Sequence, residues 1–145
     1  MTSTLVHNGT LIDGRGGTPL PNAAVLINEG RIEAVGEVNG LSLPDDLESK
    51  IDAGGGFILP GLIDTHVHLI LQDFNLERVM ATPFSLRFYH SVEYMRRTLD
   101  AGITSVRDAG RADVGMKKAV ETGVVVGPPM QISTAVLTIT GGHAD

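Results

Sequence analysis

The feature that most constrains this chain is a change of pattern at residue 57. Before it, short apolar runs alternate with turn residues. Leu5-Val6 and Thr10-Leu11-Ile12 are short strand candidates, followed by a turn-rich stretch over residues 13–21. Ala24-Val25-Leu26-Ile27 and Arg31-Ile32-Glu33-Ala34-Val35 then flank Asn28-Glu29-Gly30, and two apolar runs joined by a few residues containing Gly predict a β-hairpin. Residues 41–50 are polar and contain proline, as a surface connection would, and Ile51 opens another short strand that ends at Gly54-Gly55-Gly56. Residues 1–57 therefore read as β structure.

Beyond that point strands alternate with helices. Phe57-Ile58-Leu59 and Leu62-Ile63 have the apolar density of a strand buried on both faces. Phe88, Val92, Met95 and Leu99 recur at helical spacing, and Gly102 stands where a helix C-terminal glycine belongs. Ile103-Thr104-Ser105-Val106 is the next strand, Asp113 caps a helix through Met116, Ala119 and Val120 to Gly123, and Val124-Val125-Val126 and residues 132–139 supply further β-like segments. This order implies an α/β fold with βα units and a parallel sheet. A closed barrel of eight such units takes roughly 250 residues, whereas this 145-residue chain has 88 after residue 57. The segment is either a small open sheet or the opening part of something larger.

Composition narrows the chemistry. The net charge is −6 with both signs interspersed, and no Lys/Arg run or basic aromatic stripe is present, which argues against a nucleic-acid partner. Cysteine is absent, so a metal here can be held only by nitrogen and oxygen, and a reducing cytoplasm suits such a chain. No apolar stretch approaches the ~20 residues of a membrane span, and the first five residues lack the features of a signal peptide.

His66-Val67-His68 follows the most apolar run. Residues two apart in a strand point to the same side, with Cα atoms about 6.5–7 Å apart, so both imidazoles can converge on one ion at ~2.0–2.1 Å each. Val67 and Leu69 would point into packing. Asp64 shares the histidine face, where a carboxylate can orient a ligand ring. Strand C-terminal ends are where α/β folds place their chemistry. A hydrolytic zinc needs more than this pair: usually three protein ligands and a water whose pKa falls toward neutrality. Among the other histidines, His7 reads as surface or structural and His90 as part of a solvated helix face. His143, after Gly141-Gly142, reads equally as a flexible tail or as a group close to a ligand. Arg107-Asp108 closes the second strand, as a surface ion pair or as a contact to substrate or to a ligand side chain.

Taken together these segments resemble the amidohydrolase superfamily over nearly the whole chain. Asn8-Gly9-Thr10-Leu11-Ile12-Asp13-Gly14 resembles the opening strand of the family's small β-sandwich domain, and Asn28-Glu29-Gly30-Arg31-Ile32-Glu33-Ala34-Val35-Gly36 its hairpin. The run from Ile51 through Gly54-Gly55-Gly56-Phe57-Ile58-Leu59-Pro60-Gly61-Leu62-Ile63-Asp64-Thr65-His66-Val67-His68 to Leu69 is the most specific part. Ala101-Gly102-Ile103-Thr104-Ser105-Val106-Arg107-Asp108-Ala109-Gly110, Ala119-Val120-Glu121-Thr122-Gly123 and Gly141-Gly142-His143-Ala144-Asp145 are similar to the imidazolonepropionase-like and Xaa-Pro dipeptidase-like subgroup, which commonly has Gly at the position of Ala144 and Arg at that of Pro129.

The resemblance implies part of a β-sandwich over residues 1–57. Over residues 58–145 it implies the first three strands of a TIM-type (β/α)8 barrel. It implies His66 and His68 as ligands of one or two divalent ions, usually zinc, with Asp64, Arg107 and His143 in supporting or substrate-binding roles. The remaining ligands and the general base are expected beyond residue 145. The implied activity is hydrolysis of a C–N bond, in a dipeptide, an N-acyl amino acid or a cyclic amide, by a cytoplasmic and homo-oligomeric protein; this portion alone is expected to be inactive. Two other readings stand beside it. One is a non-catalytic binding or assembly module of the same ancestry. The other is a cupin, whose glutamate after the His-X-His pair is here replaced by Gln72 and Asp73.

Overall fold

The structure, a computed structural model, describes residues 3–71, 73 and 75–142. The chain divides into two units, Met1–Pro60 and Gly61–Asp145.

The first unit is a five-stranded sheet. Strands β1 (Ser3–Leu11), β2 (Leu20–Asn28), β3 (Arg31–Glu37) and β4 (Ser49–Asp52) lie in the order β3-β2-β1-β4, and the short β5 (Phe57–Ile58) also pairs with β1. β2 runs antiparallel to both β1 and β3, while β4 and β5 run parallel to β1. The hairpin between β2 and β3 turns through Glu29 and Gly30, both at positive φ (50° and 72°), the backbone that matches strand twist in a two-residue turn. The two expected pieces of the first strand are one strand with a register shift between Val6 and Gly9, where Asn8 takes φ 59°. Gly9 is obligatory for packing, because a Cβ there would lie 2.8 Å from Ile58 Cγ1 and 2.9 Å from Ala53 Cβ. Leu5, Ala24 and Leu26 form the core, covered by Ala34, Val38, Leu41 and Leu47.

The second unit is a parallel sheet of three strands, β6 (Leu62–Val67), β7 (Ile103–Asp108) and β8 (Met130–Ile132), in the order β6-β7-β8. Helices α1 (Leu76–Ala81) and α2 (Phe84–Asp100) connect the first two strands, and α3 (Val114–Glu121) the last two. The fold is thus mixed α/β with parallel βα units. α2 buries Met95 and packs Phe88 on the core, then ends at Gly102, whose φ of 82° completes the stop. Asp113 caps α3 by accepting the Met116 N–H at 2.8 Å. Leu69, Ile70, Met95, Val106, Met116 and Met130 share one core.

Three expectations need correction. Residues 57–63 are not one strand buried on both faces: Pro60-Gly61 divides β5 from β6, and Phe57, Leu62 and Ile63 are 69%, 55% and 69% exposed. Among the described residues β6 is an edge strand, paired with β7. Residues 124–126 are not a strand either. The Val125 N–H returns to the Ala119 carbonyl at 3.0 Å, and Gly127-Pro128-Pro129 follows, where two prolines supply no ladder donors. The third strand ends at Ile132 rather than running to residue 139, because Thr134 turns the chain at φ 61° and the Ala135 N–H bonds back to Ser133. Among the described residues no helix is long and apolar enough to cross a membrane.

Candidate metal centre

β6 delivers His66 and His68 to its C-terminal end. His66 is the last but one residue of the strand and exposed, and His68 lies just beyond it and is half-buried. Their rings stand edge to face with centroids 5.4 Å apart. Two imidazoles on one tetrahedral ion, each bound at ~2.0–2.1 Å, place their centroids about 5 Å apart, so the pair already has the separation that shared ligation requires. As the strand period demands, Val67 packs against the core and Leu69 is buried.

The ends of the three parallel strands are tied to one another by the backbone. The Ala109 N–H donates to Val67 O at 2.8 Å, Ser133 N–H to Asp108 O at 3.2 Å, and Arg111 N–H to Thr134 O at 3.0 Å. Beneath them sits Asp108, fully buried, whose carboxylate accepts N–H bonds from Leu69 (2.7 Å), Gly110 (2.9 Å) and Ala112 (3.2 Å). The Gly110 carbonyl in turn stands 3.4 Å from Nδ1 of His68. A carbonyl can only accept, so a hydrogen bond here needs the proton on Nδ1, and in the neutral ring that tautomer turns the Nε2 lone pair to a metal, the usual arrangement for a ligating histidine. The donor set therefore fits a divalent ion of the zinc class through two nitrogens. Among the described residues no group of three His, Asp or Glu completes it.

The other expected site residues divide. Asp64 acts on His66, but through the backbone: its Oδ1 accepts the His66 N–H at 3.0 Å, instead of the expected bond to a ring. Arg107 is exposed and donates through Nε to the Thr65 carbonyl at 2.8 Å, beside His66. His143 lies outside the described residues. Leu69 and Gly110 are what sequence reasoning passed over, and Asp108, read with Arg107 as a surface ion pair or as a contact to substrate or to a ligand side chain, is buried and bonded to backbone N–H groups instead. The available signal was parity, since Asp108 stands two residues after the buried Val106 on the same side of a strand.

The sequence pattern of the amidohydrolase family matches residues 57–145. The Aspergillus niger ochratoxinase is 30% identical over 145 residues, an alignment that covers 98% of this chain and 30% of the ochratoxinase. An imidazolonepropionase of Idiomarina loihiensis is 38% identical over 65 residues, covering 45% of this chain and 16% of the relative. A prolidase solved in complex with N-methylphosphonate-L-proline superposes with a TM-score of 0.84 at 37% identity, over 98% of this chain and 34% of the prolidase. The chain thus spans about a third of the length of the ochratoxinase and of the prolidase.

Proposed function

The chain belongs to the amidohydrolase family, and on that premise we propose that it is the front portion of a metal-dependent hydrolase of C–N bonds. Its relatives are named hydrolases. Dipeptides, N-acyl amino acids and cyclic amides are the proposed substrate class. Residues 58–145 would contribute the first three strands of a (β/α)8 barrel and residues 1–57 part of a β-sandwich domain. The complete protein would be cytoplasmic and homo-oligomeric.

The observation that carries this reading is the His66–His68 ring pair, 5.4 Å apart at the C-terminal end of a parallel strand. These two residues would hold one side of the ion, zinc by preference for a nitrogen-rich, thiolate-free set. When bound, the ion supplies Lewis acidity and activates water for attack on a carbonyl. The chain's own residues do the positioning. Asp64 holds the His66 backbone, and Arg107 secures Thr65 while presenting a cation beside the histidines, where it can meet a substrate carboxylate. The remaining ligands and the general base would come from segments this chain does not contain.

Equilibrium dialysis against Zn²⁺ tests the assignment. The chain should bind zinc, and His66→Ala/His68→Ala should abolish that binding while leaving the far-UV circular dichroism unchanged. Equal zinc uptake by the double variant would remove the histidines from the site.

A further inference from the structure

The ring of contacts around Asp108 reaches further than packing. We propose that Asp108 is a positioning residue for His68. Its carboxylate fixes the backbone on which the ligand sits, and through Gly110 it fixes which ring nitrogen faces outward. The inference rests on the ligand assignment made above for His66 and His68.

A carboxylate with no exposed surface is costly to bury unless its oxygens are bonded. Here both oxygens are used, and in a divided way. Oδ2 takes the Leu69 N–H, the peptide group immediately after His68, at 2.7 Å. Oδ1 takes the N–H groups of Gly110 and Ala112 at 2.9 and 3.2 Å, and so shapes the turn after β7. Gly110 then places its carbonyl 3.4 Å from His68 Nδ1. The ligand is thus held twice from one side chain, through its own backbone and through the carbonyl that assigns its tautomer. On its other side the Val67 carbonyl is held by the Ala109 N–H at 2.8 Å. Gly110 cannot be replaced freely at this junction: its φ is 156°, and a Cβ would stand 2.3 Å from Val136 Cγ2. A purely structural carboxylate would need only to satisfy the turn. The bond to Leu69 crosses from β7 to the histidine-bearing strand end, and that bond is what the proposal adds.

Asp108→Asn separates the two roles. The amide keeps one acceptor oxygen, enough for Gly110 and Ala112, but turns an NH2 group toward the Leu69 N–H, donor against donor. Three readouts on the 145-residue chain decide the matter, two of them without metal. In the wild type, two-dimensional ¹⁵N spectra of the neutral His68 ring should show the Nδ1–H tautomer, and the Leu69 amide should exchange slowly. In Asp108→Asn, Leu69 exchange should accelerate, while Ala112 stays protected and the Nδ1–H tautomer, held through Gly110, persists. The Zn²⁺ dissociation constant should rise about 10–100-fold, the usual cost of losing a group that orients a ligand. Asp108→Glu, which keeps the charge but not the reach, should not restore zinc affinity. An Nε2–H tautomer or an unprotected Leu69 amide in the wild type overturns the proposal even if the Asn variant fails to fold. So does wild-type zinc affinity in a folded Asp108→Asn chain. A wild type that shows the tautomer and the protection yet binds no zinc instead overturns the ligand assignment on which the proposal stands.

Discussion

The Arg107 guanidinium donates through Nε to the backbone carbonyl of Thr65 at 2.8 Å, so the second parallel strand grips the first at the residue before His66. Both partners are exposed to solvent. Exposed charged bonds contribute little, because water competes for both groups. Arg107→Ala should therefore cost less than ~1 kcal/mol in urea-denaturation stability. Arg107→Lys should behave the same way, since an ammonium lacks the fixed fork of the guanidinium. A loss of several kcal/mol would show that Arg107 is a structural strut, and would weaken its assignment as a residue free to meet substrate.

Met95 is the inner anchor of α2. It is 2% exposed and packs in the core with Val106, Met116 and Met130. Truncation leaves a cavity that the surrounding sheet and helices can only partly close, so Met95→Ala should destabilise the second unit by ~2–5 kcal/mol. Met80, 74% exposed on α1, is the control: Met80→Ala should stay within ~0.5 kcal/mol of wild type. Denaturant midpoints followed by circular dichroism read both. Equal effects at the two positions would mean that α2 does not pack on the parallel sheet as described.

The same residues show how much was legible beforehand. The stripe Phe88, Val92, Met95, Leu99 ending at Gly102 identified α2, because a 3.6-residue period with a positive-φ stop is written locally. Asp113 was readable as a cap for the same reason. The His66–His68 pair follows from strand parity alone. Residues 124–126 misled because three valines carry strand propensity, whereas the Val125 N–H is taken by the Ala119 carbonyl and Pro128-Pro129 offers no donors. The bond from Asp108 to Leu69 joins positions 39 apart in sequence, and local pattern carries no record of it. Asp64 bonds the His66 backbone, and a side chain that can reach either a ring or its own backbone two residues on is not assigned by spacing.

Gly61, the residue before β6, lies tight against Thr104 of β7. A Cβ at Gly61 would stand 2.0 Å from Thr104 Oγ1 and 2.7 Å from Thr104 Cβ, and a β-branched side chain has little freedom to withdraw. Gly61→Ala should cost ~1–3 kcal/mol through overpacking. Thr104→Gly in the same chain should recover most of that loss, giving a favourable coupling in a double-mutant cycle. Additive effects of the two substitutions would contradict the close approach of these strands.

Glu93 carries the clearest electrostatic signature in the molecule. Its carboxylate meets the guanidinium of Arg96 at 3.1 Å and Nε of Arg97 at 2.9 Å, one helical turn ahead on α2. Those bonds, Arg96 foremost and Arg97 next, hold its pKa down from 4.5 to about 2. A depressed carboxyl stabilises the fold above its unfolded pKa and loses that contribution as pH falls through the folded one. The window therefore runs from about 4.5 down to about 2. The group lies at the surface with water around it, so the effect on global stability should be small and should shrink with added salt. The titration itself is the sharper readout. In the folded chain at low salt, the Glu93 side-chain carboxyl ¹³C resonance should still be ionised at pH values where an ordinary glutamate is protonated. Arg96→Gln should raise its midpoint more than Arg97→Gln does, since Arg96 contributes the larger share and also bridges to Asp100 at 3.6 Å. A wild-type midpoint near 4.5, or the same midpoint in both variants, would mean that the fork on α2 is not formed in solution.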